Sequence, residues 1–284
     1  MTVRGSQNAR DRSGQLVSRA LPHIVLLIAC FVAVAPFVWA FLGSLKPFRE
    51  LVSSSDMLPK VWTLKAYTDI LGRINITDAF KNSILIGLVI TISSLITSSA
   101  LGYVFAKYRF PGRDLLFLLL VSTLMIPFMV ILVPLYITVA DAGLVNSQAG
   151  VIVVSLWTSL GIFMMRQFIA NIPTELIDAA RIDGASEFYV YRRIILPLSA
   201  SPLAALGVLV FLGSWDSFLW PSTVLTSPEN QTVPLLLSGL RSLHFGRYDL
   251  WSAGSMLTII PVMVVYLFAS RYFIRGVSMT GLKG

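Results

Sequence analysis

The sequence predicts an all-α membrane protein, a bundle of six spanning helices, and three observations carry that expectation. Hydrophobic side chains make up 56% of the 284 residues and charged ones only 13%, against about 45–50% and 25% in an average soluble domain. The apolar residues gather into six runs of the roughly 20 residues that a helix needs to cross a hydrocarbon core of about 30 Å. None of the runs shows the period-two alternation of a membrane barrel, so internal backbone pairing in lipid leaves helix as the solution. Other classes fall away on the same numbers. The net charge of +8 hints at nucleic acid, but a nucleic-acid binder gathers its basic residues on one folded surface, and here they punctuate apolar runs. One cysteine, Cys30, leaves no internal disulfide framework, and His23 and His244 are too few for a histidine metal cluster.

Taken in order, residues 1–19 form a tail carrying Arg4, Arg10, Arg12 and Arg19, followed by the first run at 20–43. A basic tail before an apolar stretch can be a secretion signal. The stretch from Leu21 to Leu45 exceeds a signal core of about 7–15 residues and no small-x-small cleavage site follows, so it reads as a retained anchor. The remainder of 20–80 is a loop whose acids Glu50, Asp56, Asp69 and Asp78 offset most of its positive charge. A five-helix core over 81–274 then holds runs at 82–106, 114–137, 146–170, 200–222 and 250–274, before a tail at 275–284. Met125, Pro127 and Pro134 predict a kink in the third run, because proline removes a backbone bond. Alternate connections divide the Lys and Arg residues 14 to 8. Positive residues resist translocation, so both termini are expected in the cytoplasm of a plasma-membrane protein.

The loop at 171–197 is long and charged where its neighbours at 107–113 and 138–145 are tight. It parses as two short helices: Thr174 caps the first after Pro173, with Glu175 in the first turn, Gly184 ends it, and Ser186 caps a second that stops before Pro197. Ala179 and Ala180 give the first helix a smooth surface, flanked by Asp178, Arg181 and Asp183. Such an elbow suits insertion into a cleft on another protein; an interfacial amphipathic connector is the plainer alternative.

Asp178-Ala179-Ala180, Gly184 and Ile194-Ile195-Leu196-Pro197 resemble the Glu-Ala-Ala loop of membrane permease subunits of bacterial ABC importers. Asp178 stands where that family has Glu. Asn82-Ser83, Tyr108 to Arg113, Pro134-Leu135-Tyr136, Arg166-Gln167-Phe168, Trp215 to Pro221 and Gly281 to Gly284 resemble the second permease of maltose-type carbohydrate importers. The resemblance implies a type I importer fold and a coupling helix that docks on an ATPase subunit. The coupling residues would be Glu175, Asp178, Ala179, Ala180, Asp183, Gly184, Ala185, Phe188, Leu196 and Pro197. It also implies a second homologous permease, a homodimeric or paired set of ATPase subunits, an extracytoplasmic solute-binding protein and a carbohydrate substrate. The chain has no Gly-x4-Gly-Lys-Ser/Thr phosphate loop. It is therefore expected to be a translocator without cofactor or enzymatic site, with ATP bound by the partner ATPase.

Asp216 is the clear acid within a run, and such a group is expected to face the bundle interior or a water-filled cavity. Phe211, Trp215, Phe218 and Leu219 follow i, i+4, i+7, i+8 spacing, and aromatic faces beside a carboxylate suit sugar rings. Trp215, Asp216, Phe218 and Leu219 are accordingly candidates for the substrate path. Helix packing, or an interfacial belt with Trp220 and Pro221, is the alternative. The hydroxyl cluster Ser93, Ser94, Thr97, Ser98, Ser99 reads as close packing before it reads as path. No cation lies deep in a run, which favours an uncharged solute; a glycerol phosphate importer is the alternative within the family, and an ion-coupled secondary transporter a remote one. Residues 230–247 are a candidate contact for the solute-binding protein, or a loop without such a role.

Overall fold

The computed structural model describes residues 4–243 and 247–280. His244 and the tail Gly281–Gly284, both singled out in the sequence, lie outside the described residues, as do the side chains of the basic tail 1–19. All regular structure among the described residues is helical. Among the described residues, five segments are long and apolar enough to cross a bilayer: Leu21–Ser44, Ile76–Lys107, Gln148–Ala170, Ala200–Val224 and Tyr248–Phe268.

The sixth expected span, at 114–137, is not one helix. Helix α5 (Arg113–Ser122) runs through a tight turn to Met125, and α6 (Phe128–Asp141) leaves at a bend of 102°. Pro127 causes the break. It forces the preceding Ile126 out of helical space to φ −85°, ψ 114° and itself sits extended at φ −61°, ψ 135°. Pro134, the other expected kink, stays inside α6, where Thr138 Oγ1 donates to the Pro134 carbonyl at 2.9 Å. Two further spans are interrupted. Between α7 (Gln148–Ile152) and α8 (Ser159–Ala170) the helix opens at 156–158; between α12 (Ala200–Trp215) and α13 (Leu219–Val224) it opens at 216–218.

One structural unit comprises Ile70–Phe245 with Leu257–Gly284. Its central element is α4 (Ile76–Lys107), which packs along α8 and α12. Small residues allow the approach: a Cβ added to Gly161 would stand 2.3 Å from Ser98 Oγ, and one added to Gly102 would stand 2.6 Å from Met165 Cβ. Ser94, Ser98 and Ser99 are buried in this seam. These three of the five hydroxyl residues therefore serve close helix packing, as small residues do where lipid offers no hydrophobic drive between helices, while Ser93 and Thr97 are half-buried and donate to carbonyls of their own helix.

The other unit comprises Met1–Asp69 with Gly246–Met256. Within α1 (Arg4–Ser44) no side chain from Leu21 to Trp39 is buried. The 45–64 stretch after it is tied by backbone and side-chain bonds. Thr63 N donates to Leu45 O at 2.9 Å, the buried Lys46 donates to the Asp56 carbonyl, and Glu50 accepts from Lys60 N at 2.6 Å and Val61 N at 3.2 Å. Arg247 holds Asp249 through two bonds of 2.9 Å and pairs with Asp69 at 3.7 Å. The acids of this stretch thus organise local structure besides offsetting charge.

Candidate functional site

The 171–199 segment folds as an elbow. Helix α9 (Thr174–Ile182) starts from Pro173, whose extended φ/ψ fits the cap position, and Glu175 lies in its first turn. Thr174 is the first helical residue and not the cap. Gly184 has φ +83°, the left-handed conformation that a glycine supplies without steric cost. Ser186 Oγ then accepts from Tyr189 N at 3.3 Å and caps α10 (Glu187–Val190). The second helix does not stop before Pro197. It continues through a π turn over Tyr191–Ile195 into α11 (Leu196–Leu198), with Leu196 N bonded to Tyr191 O. The widened turn gives the proline ring room that a regular α turn denies it.

The elbow sits on a buried apolar base of Ile177, Val190 and Ile195 packed with Tyr103, Met165 and Ile169. Its outward side leaves Ile182 86% and Phe188 68% exposed, with Asp178, Ala179, Asp183 and Gly184 also exposed and Ala180 and Ala185 half-buried. Apolar side chains this open beside charges are the pattern of an interaction surface.

Glu187, which the sequence reading did not single out, is the polar centre of the elbow. Its Oε1 accepts from Arg181 Nε at 2.7 Å; its Oε2 accepts from the hydroxyl of Tyr103 at 3.2 Å and from that of Tyr108. Arg181 also pairs with Asp178 at 3.3 Å. The Arg181 guanidinium, and after it the Tyr108 hydroxyl, hold the Glu187 carboxyl below the usual carboxylate range, while Glu187 raises Arg181. Two more ties reach α4: Tyr191 OH meets Ser99 Oγ at 2.7 Å, and Lys107 Nζ donates to the carbonyls of Ala170 and Ile172 at the end of α8. A cation at that helix end also opposes the negative pole of its dipole.

The path candidates separate. Helix α12 ends at Trp215, so the stripe expected from Phe211 to Leu219 does not lie on one helix. Trp215 is 3% exposed, stacked on Phe211 at 5.9 Å and edge-on to Phe80 at 5.8 Å. Asp216 is exposed at the C-cap of α12. Phe218 and Leu219 line a cavity of about 340 Å3 with Trp220, Ser214 and Ser217. Beside it, an amide clasp ties the 225–232 segment down. Asn82 Nδ2 donates to Glu229 O at 2.8 Å and Gln231 O at 3.1 Å, Gln148 bridges Asn82 and Asn230 at 3.1 Å each, and Asn146 Oδ1 accepts from Thr226 N at 3.0 Å and Ser227 N at 2.9 Å. Helix α14 (Val233–Leu243) follows, so much of the candidate contact region 230–247 is helical.

A multi-span helical bundle with an exposed elbow and a half-open cavity at a broken helix has the architecture of a polytopic membrane transport component. The chain belongs to the family of binding-protein-dependent transport system inner membrane components, whose pattern it matches over residues 98–278. It is 38% identical over 258 residues to the arabinooligosaccharides transport system permease protein AraQ of Halalkalibacterium halodurans, covering 89% of this chain and 92% of that one. It is 32% identical over 262 residues to the lactose transport system permease protein LacG of Rhizobium radiobacter, covering 91% and 96%. The fold superposes with a TM-score of 0.81 and 20% identity on a solved bacterial ABC transporter involved in the import of the acidic polysaccharide alginate, covering 92% of this chain and 98% of that one.

Proposed function

We infer that this chain is the permease subunit through which an ABC importer moves a sugar or oligosaccharide across the plasma membrane by alternating access, with both termini in the cytoplasm. The observation that carries the reading is the elbow, whose exposed Ile182 and Phe188 project from a base tied to α4 and α8. Similarity over about nine-tenths of the chain to permeases named for arabinooligosaccharides and lactose supports a carbohydrate. A second homologous permease completes the path, a pair of ATPase subunits binds and hydrolyses ATP, and an extracytoplasmic solute-binding protein delivers the substrate. This polypeptide contributes no catalytic group and needs no cofactor of its own.

In this reading Glu175, Asp178, Ala179, Ala180, Asp183, Gly184, Ala185 and Phe188 meet the ATPase, while Leu196 and Pro197 carry its displacement into α12. The π turn and α11 connect the elbow to α12 within a few residues, and α12 ends at the 216–218 break. A push on the elbow is thereby delivered to α12, which carries Trp215 and ends just before Asp216, Phe218 and Leu219. Phe218 and Leu219 face the path and Trp215 backs it. Asp216 adds a carboxylate at the negative end of a helix dipole, a place where electrostatics favours a cation, which points to a use beyond stability.

The test is uptake by the whole complex, expressed with its partner permease, ATPase and solute-binding protein and reconstituted in proteoliposomes. ATP-dependent accumulation of arabinotriose or lactose is the expected result. Accumulation of glycerol phosphate with no neutral saccharide transported would overturn the substrate class, and uptake that persists without ATP would overturn the importer mechanism.

A further inference from the structure

The turn that follows α1 is built inside out for a loop in water. Lys46 is 4% exposed and gives its ammonium to the Asp56 carbonyl, while the Glu50 carboxylate is taken up by the backbone amides of Lys60 and Val61 at 2.6 and 3.2 Å. The apolar side chains are left outside. Val52, Met57, Leu58, Val61, Trp62 and Leu64 are each at least half exposed, with Leu58 at 64% and Trp62 at 61%. Apolar surface gathered in this way marks contact with another apolar phase or partner, and here a frame of hydrogen bonds holds it out.

Two bonds fix where the patch stands. Thr63 N donates to Leu45 O at 2.9 Å, and the Tyr67 hydroxyl meets Ser44 Oγ at 2.7 Å. Ser44 is the last residue of the apolar span Leu21–Ser44. The chain therefore returns to the end of the spanning helix, and the Lys46 and Glu50 bonds brace the middle of the turn. At that depth hydrocarbon gives way to headgroups, a zone of about 5–7 Å on each side of the core.

The composition fits the same zone. Tryptophan gathers at membrane–water interfaces, and lysine lays its apolar stem along the boundary with the ammonium in the headgroups. Lys60 and Lys65 are exposed on either side of Trp62, Lys60 beside Asp56 at 2.7 Å, and Arg49 is exposed in the short helix Phe48–Ser53. A protein partner also buries apolar side chains. The depth set by the two bonds, and the cations beside the indole, favour lipid.

We propose that the 57–64 turn is an interfacial anchor, with Met57, Leu58, Val61 and Trp62 seated in the headgroup and upper acyl region at the C-terminal end of α1. Arg49 and Lys65 lie toward the lipid phosphates. On the orientation inferred above this is the outer leaflet. The anchor sets the depth of α1, a helix in which no side chain from Leu21 to Trp39 is buried within the chain.

The test uses the fluorophore NBD on Trp62→Cys, and separately on Leu58→Cys, which keeps the indole, in a Cys30→Ser chain freed of its one native cysteine. Each labelled chain is assembled with cysteine-free partner permease and ATPase subunits in phosphatidylcholine–phosphatidylglycerol vesicles that carry nitroxide lipids. Emission should lie to the blue of the probe in water. Nitroxide near the headgroup should quench it roughly twofold more than nitroxide at the chain end, as a depth of about 5–10 Å into the headgroup and acyl boundary requires. Quenching by aqueous iodide with no response to nitroxide lipid would place the turn in water and overturn the anchor. Stronger quenching from the chain ends would place it in the hydrocarbon core and likewise overturn it. Emission that neither quencher reaches would assign the patch to a partner subunit and reject lipid as its occupant.

Discussion

The elbow and the cavity share α4 as their support but differ in charge and in continuity of the backbone. In the elbow, Glu187 accepts from Arg181, Tyr103 and Tyr108, and Lys107 closes the carbonyl end of α8. At the cavity, the lining includes Ser155, Ser214 and Ser217 without an ionisable side chain, and the flanking spans are interrupted at 126–127, 156–158 and 216–218. A lever has to move as one piece, and satisfied ion pairs over a buried base make it stiff. A path has to exchange partners, and a wall already saturated with internal bonds would have nothing to offer a passing solute. In the proposed reading, the difference separates force transmission from solute contact within one small bundle.

The sharpest way to break the contrast is to spoil the lever's hinge while leaving the cavity alone. Gly184 has φ +83° and open space around its α-carbon, so a substitution acts through backbone conformation and not through a clash. Gly184→Val should reduce uptake and ATPase co-purification more than tenfold, while membrane insertion and the melting profile of the bundle persist. A β-branched residue is an outlier in this conformation, costing about 1–3 kcal/mol. Gly184→Asn, which tolerates the left-handed region, should recover most of the loss; equal failure of both variants in pull-down and uptake would show that the surface, and not the turn, needs glycine.

The shared support is next. Gly161→Ala would place a Cβ 2.3 Å from Ser98 Oγ and force α4 and α8 apart. Overpacking of this kind costs about 1–3 kcal/mol. Thermal melts of the purified complex should show that loss, and Ser98→Ala in the same chain should restore part of it, because the obstructing oxygen is gone. Both regions should weaken together, in contrast to the local effect at Gly184.

Glu187→Gln tests whether the elbow is stiff enough to transmit. The amide keeps the shape but loses the charge that binds Arg181. An exposed pair is worth about 0.2–1 kcal/mol, so the ratio of sugar imported to ATP hydrolysed should fall by about 1.4- to fivefold, with ATPase binding retained. An unchanged ratio would reduce the Glu187 network to decoration of the surface.

The parts of this arrangement visible in the sequence are those fixed by local chemistry. Pro173, Gly184 and Ser186 announce the elbow because a cap and a left-handed turn depend on a few neighbouring residues, and the break at Ile126-Pro127 follows from the steric demands of a single ring. The apolar runs likewise announce the spans. Glu187 was not visible as a centre, because two of its partners, Tyr103 and Tyr108, come from 84 and 79 residues earlier. The break at 216–218 was hidden for another reason. Trp215-Asp216-Ser217-Phe218 contains neither Gly nor Pro, and its i, i+4, i+7 spacing imitates a continuous stripe. Pro197 misled in the opposite direction: a helix stop on local rules became an internal residue once the π turn at Tyr191–Ile195 widened the backbone around it.

The smallest effect expected is one of pH, and it bears on the same contrast because the charged ring belongs to the elbow and none lines the cavity. Arg181 and Tyr108 hold the folded Glu187 carboxyl below the ordinary range, so the native state binds that proton less readily than the unfolded chain does. The stabilisation is then fully present above the unfolded value of about 4.3 and is lost as pH falls through the lower folded value. With a side chain 47% exposed, screening keeps the contribution within the surface-pair range of about 0.2–1 kcal/mol. The difference in melting temperature between wild type and Glu187→Gln should therefore be flat from pH 8 to about 5 and shrink toward zero at more acid pH. A difference that grows on acidification would mean that the carboxyl is held protonated in the fold, and the elbow would then owe its stiffness to the apolar base under Ile177 and Val190 alone.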